Sequence, residues 1–474
     1  MAAVEDQAVT TGSAKDESRL QDLAKRHLWM HFTQMAGYED HEIPIITRGD
    51  GCYVWDEHGN KYLDGLAALF CVNIGHGRGD VAQAGADQAK ELGFYTNWSY
   101  AHPKAIELAA RVAELAPGDL NRVFFTSGGS EAVDSALKLC RQYHKLTGNP
   151  GRYKVISRKL AYHGTTMGAL TATGIPAVRR PFEPIFPGSA HVPNTNAYRP
   201  EVDDPAEAIY EKILFEGPET VSCVILEPVQ NSGGCFTPPD GYFQRVREIC
   251  DEFGIVFISD EVICSWGRLG TYFGAEKYDY QPDIITTAKG ITSSYAPMGA
   301  VIASDRMFEP FSKPGNSFTH GITFGGHPVA SAVALANLDV FANEGIIENV
   351  VAHEGDFARM LDSLRDIPIV GDVRGMGYFW ALELVRDRET KQTLSAEECE
   401  WLLRDFLSAD IFKRGLICRA DDRGDPVIQL SPPLIAGPEQ FEEIDEILRS
   451  VLTEAWERSV GGPGVPGTRQ PRPR

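Results

Sequence analysis

The residue whose position most needs a chemical explanation is Lys289. It follows the largely apolar residues 283–288 and precedes Gly290, so we expect it at the end of a buried strand, where an amine loses the water that stabilises its charge. Condensation of the lysine with an aldehyde, which forms a Schiff base, would explain a lysine at this place. The alternative for an isolated lysine is that its amine extends from the strand end into solvent.

Residues 126–132 could bind an anion. Their sequence, Thr-Ser-Gly-Gly-Ser-Glu-Ala, lies between a predicted strand and a helix with one apolar face. The backbone at Gly129 can approach a ligand closely, and the free amides of the helix start, with the Ser130 hydroxyl, can donate to a phosphate. An ordinary capped helix start is the alternative. The segment lacks the GxGxxG pattern of dinucleotide-binding proteins.

A carboxylate is expected at the end of a second strand. Residues 256–262, Val-Phe-Ile-Ser-Asp-Glu-Val, place Asp260 at the edge of a sheet where ligands bind in open α/β folds. A surface turn or a metal-binding carboxylate would be the alternatives. A phosphate site, a carboxylate and a lysine on three strand ends together match pyridoxal phosphate, because the carboxylate can pair with the protonated pyridine nitrogen while the lysine holds the aldehyde.

Strands that alternate with helices must position these residues. The alternation predicts a mainly parallel sheet covered on both faces. The predicted strands are at 123–125, 221–226, 255–258, 284–285 and 300–303, and the predicted helices are at about 131–144, 240–252 and 327–342. Residues 53–63 predict a hairpin with its turn at Gly59 and Asn60. Beyond about 345, helical stretches at 346–365 and 395–413 and strands at 378–384, 415–418 and 427–430 predict a smaller α+β domain.

The chain is expected to divide into two domains with loose ends. The ends are polar or rich in glycine and proline, a composition that favours disorder. The predicted division is a disordered segment at 1–18, an N-terminal part of the small domain at 19–75, a large cofactor-binding domain at 76–344, a C-terminal small domain at 345–457 and a disordered tail at 458–474.

Composition excludes several classes of protein. The 45 basic and 66 acidic residues give a net charge of −21, which argues against nucleic-acid binding. No apolar run reaches the length of a membrane span, and the N-terminal residues lack a signal pattern. The nine cysteines are scattered without CxxC or metal-ligand spacing, which indicates free thiols, no metal site and a cytoplasmic location.

Residues 29–454 resemble the class III, or ω-, aminotransferases of the fold-type I pyridoxal phosphate group. The resemblance implies an aspartate aminotransferase-like fold, with a large domain on a mainly parallel seven-stranded sheet and a smaller α+β domain. The matching motifs, in order, are Tyr62-Leu63-Asp64-Gly65, Ser127-Gly128-Gly129-Ser130-Glu131-Ala132, Ala161-Tyr162-His163-Gly164, Glu227-Pro228-Val229-Gln230, Asp260-Glu261-Val262, Lys289-Gly290 and His320-Gly321-Ile322-Thr323-Phe324-Gly325-Gly326-His327-Pro328.

The resemblance implies the two catalytic residues and a phosphate site. Lys289 would bind the cofactor covalently, and Asp260 would pair with its pyridine nitrogen. Gly129 and Ser130 would hold its phosphate.

The resemblance implies further contacts around the cofactor. Tyr162 would stack on the ring, with His163 beside it, although residue types alone favour core packing for both. Glu227 would belong to the hydrogen-bond network beneath the cofactor, and Val262 would contact the cofactor. Thr323 would reach the phosphate of the neighbouring subunit, so each site would need a homodimer, and the pairing of dimers into tetramers stays open.

Four positions bear on the substrate, together with Tyr162. Phe70 takes the place of a tryptophan common in amine–pyruvate aminotransferases and would form an apolar wall. Arg419 matches an arginine that swings to bind a carboxylate, a role suited to the planar guanidinium; a surface arginine is the reading without the resemblance. Ile263 and Ser232 replace a glutamine and a gating glutamate of ornithine aminotransferase-like relatives, which weakens that assignment.

We therefore expect transamination dependent on pyridoxal 5'-phosphate. The donor would be a primary amine or ω-amino acid, and the acceptor a small 2-oxo acid such as pyruvate. An aminomutase of the glutamate semialdehyde type, a decarboxylase on the same fold, or a catalytically silent binding protein would be the alternatives. The silent protein is disfavoured by the presence of Lys289.

Overall fold

A seven-stranded sheet forms the centre of the computed structural model, which describes residues 14–461. Six strands run in one direction, and Gly299–Ala303 runs antiparallel to both of its neighbours. The expected fold-type I class is thereby confirmed. Across the sheet the strands are ordered Arg122–Thr126, Gly299–Ala303, Ile284–Thr287, Val256–Asp260, Val221–Leu226, Lys154–Arg158 and Ser189–Val192.

The two faces of this sheet are covered by different helices. Ile225 packs into an apolar cluster with the helix Gly129–Leu146, whereas Leu226 packs into a second cluster with the helix Tyr242–Phe253. Successive side chains of a strand point to opposite faces. All six residues of Val221–Leu226 are therefore buried, which explains why the central strands are continuous apolar runs in the sequence.

The carboxyl ends of the central strands meet at one edge of the sheet. Leu226 pairs with Ser259, and Asp260 pairs with Thr286 on the next strand. Because these strands are parallel and in close register, the segments that follow them leave the sheet side by side. Lys289 comes three residues after Thr286, so the backbone brings it to the same edge as Asp260.

Two smaller sheets combine strands from both ends of the chain. The predicted hairpin is confirmed, with Gly59 in the turn at a φ of 81°. The four-stranded sheet contains Ile46–Asp50, Tyr53–Asp56, Lys61–Asp64 and Leu416–Ile417, the last two in parallel. The five-stranded sheet contains Val370–Met376, Phe379–Asp387, Val427–Leu430 and Arg419–Asp421, with Gln392–Thr393 added beside Phe379–Asp387. The sequence patterns did not predict the strand Val370–Met376.

Helices pack around all three sheets. The other long helices are Ala14–His27, Gly79–Glu91, Pro103–Leu115, Pro205–Glu216, Pro328–Glu344, Ile346–Ser363 and Pro438–Gly461. The helical stretch predicted at 395–413 is confirmed, and it consists of an α-helix, Ala396–Cys399, a π-helix, Glu400–Leu407, and a second α-helix, Ser408–Lys413. Within 14–461 no single helix has the length and apolar composition to cross a membrane, although the bent pair Pro328–Glu344 and Ile346–Asp366 passes that test together.

The predicted disordered ends need correction where the structure describes them. A helix begins at Ala14, so 14–18 are helical, and the rest of the predicted segment 1–18 lies outside the described residues. The last helix continues to Gly461, so 458–461 are helical, and 462–474 lie outside the described residues. Both helices therefore extend into residues whose composition had predicted disorder. The domain boundaries near 75 and 345 stay predictions.

Candidate active site

Lys289 lies in surroundings that disfavour its positive charge. It follows the strand Ile284–Thr287 with a φ of 48°, a left-handed backbone that costs about 1–2 kcal/mol for a residue with a side chain. Such strained conformations concentrate at active sites. Burial lowers the pKa of Lys289, while Cys71 and Asp260 oppose that effect. Since no hydrogen bond within residues 14–461 engages its Nζ, the amine is free to react in its nucleophilic neutral form.

Asp260 is held by three donors at the sheet edge. Its Oδ2 lies 2.6 Å from Nδ1 of His163, and its Oδ1 accepts hydrogen bonds from the Thr286 hydroxyl at 3.1 Å and the Val262 backbone N–H at 3.3 Å. The carboxyl group is almost fully buried. A carboxylate fixed in this way keeps one orientation and can present negative charge to a cationic ring nitrogen.

His163 is buried in contact with the Asp260 carboxylate. Its backbone N–H donates to the Thr173 hydroxyl at 3.0 Å, and its ring is buried with Nε2 unpartnered among the described residues. The histidine was expected beside the cofactor ring, and its contact with Asp260 could not be read from a separation of 97 residues.

Glu227 is a second buried carboxyl group next to this pair. Its Oε2 accepts the Asn231 backbone N–H at 3.1 Å, and its Oε1 is buried without a partner in the described part of the chain. Burial raises the pKa of Glu227, while His163 and Arg158 act in the opposite direction. Oε1 of Glu227 and Nε2 of His163 are therefore two buried polar atoms that are available to hydrogen-bond a ligand in the pocket.

The predicted phosphate site is open at the start of a helix. Gly128 precedes the helix Gly129–Leu146, and a side chain at Gly128 would meet nothing within 4 Å. A Cβ on Gly129 would lie 2.9 Å from Cγ1 of Val262, so glycine is needed there for close packing. The Ser130 hydroxyl accepts the Thr165 backbone N–H at 3.0 Å, which leaves its own proton for an anion.

The residues present fit pyridoxal phosphate. The helix start offers backbone N–H groups to the phosphate, and Asp260 offers a carboxylate to the ring nitrogen. Lys289 has a free amine for the aldehyde, and Tyr162 is a half-buried aromatic residue preceding His163. Burial raises the pKa of Tyr162, and the positive charges of Arg423 and Arg419 act in the opposite direction.

The Phe70 ring lies near both Lys289 and Arg419, the residue predicted to bind the substrate carboxylate. Its ring centroid lies 5.8 Å from Nζ of Lys289 and 6.0 Å from Cζ of Arg419. Phe70 itself is buried, packs edge-on against Phe379 at 5.7 Å and has a φ of 61°. The structure therefore brings Phe70, Lys289 and Arg419 together, as the substrate predictions require.

The two departures from ornithine aminotransferase-like relatives are Ser232 and Ile263. Ser232 is fully buried and its hydroxyl has no partner among the described residues. A neutral hydroxyl cannot form the ion pair that a glutamate could form with an arginine. Ile263 is half-buried and packs against the apolar cluster that contains Phe70, an environment that suits isoleucine better than glutamine.

Thr323 lies apart from the other predicted residues. It is exposed in a turn in which the Gly325 N–H donates to the Ile322 carbonyl at 3.0 Å. In the described chain, no hydrogen bond or ring contact joins it to Lys289 or Asp260. A role at the cofactor would therefore require a second subunit.

Sequence reasoning missed Asp421 and Arg423, which lie beside Arg419. Nη2 of Arg419 is 2.7 Å from Oδ2 of Asp421, and the Arg423 backbone N–H donates to Oδ1 at 3.0 Å. The signal was available, because residues two apart in a strand share a face. The resemblance itself implies a role only for Arg419.

Comparison with known proteins identifies the family of the chain. The profile of the family Aminotransferase class-III matches residues 35–452. A probable aminotransferase of Mycobacterium tuberculosis is 54% identical over 443 residues, covering 92% of this chain and 94% of that protein. The putrescine–pyruvate aminotransferase of Pseudomonas aeruginosa is 39% identical, covering 92% and 96%. A thermostable (S)-enantioselective omega-transaminase from Thermomicrobium roseum has a TM-score of 0.89 at 40% identity, covering 92% and 98%.

This chain belongs to the class-III aminotransferase family. It is a pyridoxal phosphate-dependent enzyme that carries out transamination. The predictions of family, cofactor and reaction type are confirmed. The comparisons do not favour the aminomutase alternative.

Proposed function

We propose that the protein transfers the amino group of a primary amine or ω-amino acid to a 2-oxo acid, with pyruvate as the acceptor. The observation that carries this proposal is the position of Arg419 and Lys289 at 6.0 and 5.8 Å from the same Phe70 ring. A guanidinium at that place can bind a carboxylate while the reacting carbon lies near the lysine. The named activity of the Pseudomonas aeruginosa relative supports the same pair of substrates.

Several groups of this chain, in addition to Lys289, would hold the cofactor. The backbone at Gly129 and the Ser130 hydroxyl would bind the phosphate, Tyr162 would contact the ring, and Asp260 would hold the proton of the ring nitrogen. When bound, pyridoxal phosphate supplies a ring that accepts the negative charge developing on the substrate carbon. The contact of 2.6 Å with His163 keeps the Asp260 carboxylate in place. Val262, which packs against Gly129, and the buried Glu227 would also contribute to the cofactor site.

Lys289 would move the proton. Its Nζ would take the proton from the donor carbon that bears the amino group, and would return one to the carbon of the 2-oxo acid. The lowered pKa that burial causes makes the neutral amine more abundant, which a general base requires. Phe70 covers the amine on one side and would exclude water from it.

The absorbance spectrum of the purified holoenzyme tests the proposal. A panel of amines, added without acceptor, should bleach the band of the lysine-bound cofactor, and pyruvate should restore it. Lys289→Ala, which cannot bind the cofactor covalently, is the control and should lack the band. A band that no amine bleaches, or that pyruvate does not restore, would contradict the proposal.

We propose a homodimer as the working unit. Thr323 is exposed, and so are the neighbouring aromatic residues Phe324, Trp98 and Tyr100, whose exposed fractions are 58%, 59% and 62%. A patch of this kind is typical of a subunit interface, and a second copy there would cover it while Thr323 reaches the phosphate. Light scattering should give twice the mass of one chain. A monomer with full cofactor occupancy would contradict the role of Thr323.

We place the enzyme in the cytoplasm. Its nine cysteines are unpaired and all but Cys418 are buried, a state that suits a reducing compartment. Fractionation of the native cells, with the enzyme's activity as the marker, tests this location. Activity in an exported fraction would contradict it.

A further inference from the structure

The carboxyl group of Asp421 lies between two arginines at the substrate side of the pocket. Its Oδ2 is 2.7 Å from Nη2 of Arg419, and Nε of Arg423 is 3.8 Å from its Oδ1. The backbone N–H of Arg423 also donates to Oδ1 at 3.0 Å. With an exposed fraction of 7%, Asp421 is a buried charge that depends on these contacts.

The local strand geometry dictates the contact with Arg419. The strand Arg419–Asp421 pairs antiparallel with Val427–Leu430, in the register Arg419 with Gln429 and Asp421 with Val427. Residues two apart in a strand have side chains on the same face. The positions of the two residues in one strand therefore bring their side chains within reach of each other.

The pair lies where a substrate carboxylate would bind. The guanidinium of Arg419 lies 6.0 Å from the ring of Phe70, which also contacts Lys289. In this structure the Asp421 carboxylate forms an ion pair with the guanidinium, although its Oδ2 has no hydrogen-bond partner among the described residues. A carboxylate entering the pocket would compete with Asp421 for the positive charge of Arg419, whereas a plain amine or aldehyde would not.

We propose that Asp421 is a specificity-determining residue that competes with the substrate carboxylate for Arg419. This inference rests on the proposed function. When the bound substrate lacks a carboxylate, Asp421 keeps the partly buried guanidinium paired, and so reduces the cost of leaving that charge alone in the pocket. When the substrate has a carboxylate, it must displace Asp421, which weakens its binding. Asp421 thus favours donors and acceptors without a carboxylate over those with one.

Asp421→Asn tests the competition, because it removes the charge and keeps the shape. With one fixed amine donor, kcat/KM is measured for pyruvate and for a short aliphatic aldehyde. We expect the ratio of the two values to rise about tenfold in favour of pyruvate, mainly through a lower KM, as expected when one competing charge is removed from a partly exposed ion pair. The ratio should not move in Asp422→Asn, which removes the same charge one residue along, where Asp422 pairs with Arg404 at 2.8 Å.

A double variant shows whether the effect passes through Arg419. In an Arg419→Ala background, Asp421→Asn should leave the ratio unchanged. An equal change for both acceptors, a higher KM for pyruvate, or the same shift without Arg419 would each overturn the role of Asp421. If Asp421→Asn does not fold, Asp421→Ser makes the same charge removal with a smaller side chain, and the same ratio decides.

The unaltered enzyme separates the two proposals. If it transfers amino groups to neither pyruvate nor the aldehyde, the proposed function fails. If it transfers them and the ratio does not respond to Asp421→Asn, only the role of Asp421 fails.

Discussion

Removal of the guanidinium at Arg419 should separate carboxylate-bearing substrates from neutral ones. In Arg419→Ala the carboxylate of pyruvate loses a charged, two-point partner, while an aldehyde acceptor loses nothing that it used. A hydrogen bond to a charged group contributes about 1.5–3 kcal/mol. Because the Arg419 side chain is 18% exposed, we take about 2 kcal/mol, the middle of that range.

This free energy corresponds to a fall of about 30-fold in kcat/KM for pyruvate. The same constant for the aldehyde should change less than about threefold. Initial rates with one amine donor and each acceptor in turn provide the comparison. Arg404→Ala, which removes an arginine paired with Asp422 outside the pocket, is the matched control and should affect neither acceptor.

The free energy of unfolding of Arg419→Ala provides a second test. Arg419→Ala leaves Asp421 with Arg423 only, so the free energy of unfolding should fall by about 1–3 kcal/mol, the cost of an unsatisfied buried polar group. Asp421→Asn in the same chain should recover part of that loss, because the amide is easier to bury than the carboxylate. Equal losses for pyruvate and the aldehyde would refute the assignment of Arg419 to the substrate carboxylate.

Three further predictions concern the cofactor site. Asp260→Asn should keep the cofactor but lower kcat by about 100- to 1000-fold, since the ring nitrogen loses a preorganised charged partner; retention of full kcat in single-turnover assays would contradict this. Gly129→Ala should weaken cofactor binding about tenfold, because its new Cβ would crowd Val262 at 2.9 Å, and Val262→Ala in the same chain should restore part of the affinity measured by titration. Burial lowers the pKa of Lys289, so the rate at which the cofactor-free protein binds pyridoxal phosphate should rise with pH through a midpoint below the ordinary lysine value of 10.5, as the amine becomes neutral. An unshifted midpoint in stopped-flow measurements would contradict the burial of the free amine.

Much of the central sheet could be predicted because burial on both faces leaves a local signature. The runs at 221–226 and 284–287 are apolar or small throughout, and each ends beside a residue of the site. The strand Val370–Met376 was not predicted, because glycine and arginine interrupt its pattern of apolar residues. Its position depends on pairing with Phe379–Asp387, which no local composition reveals.

The sequence by itself determined which residues could do chemistry. The order of glycines, Asp260 and Lys289 along the chain, each after an apolar strand, was sufficient to indicate the cofactor, because strand and helix signals are local and parallel strands end at a common edge. The hairpin turn at Gly59 follows the same logic.

Only the tertiary structure decided which of those residues touch. His163 and Asp260 are 97 residues apart and meet at 2.6 Å. Phe70, in the short and distorted helix Ala67–Phe70, lies near both Lys289 and Arg419. The same packing lowers the pKa of Lys289 and pairs Arg419 with Asp421. These properties depend on desolvation and on distances between remote segments, which exist only once the sheets and helices have packed together.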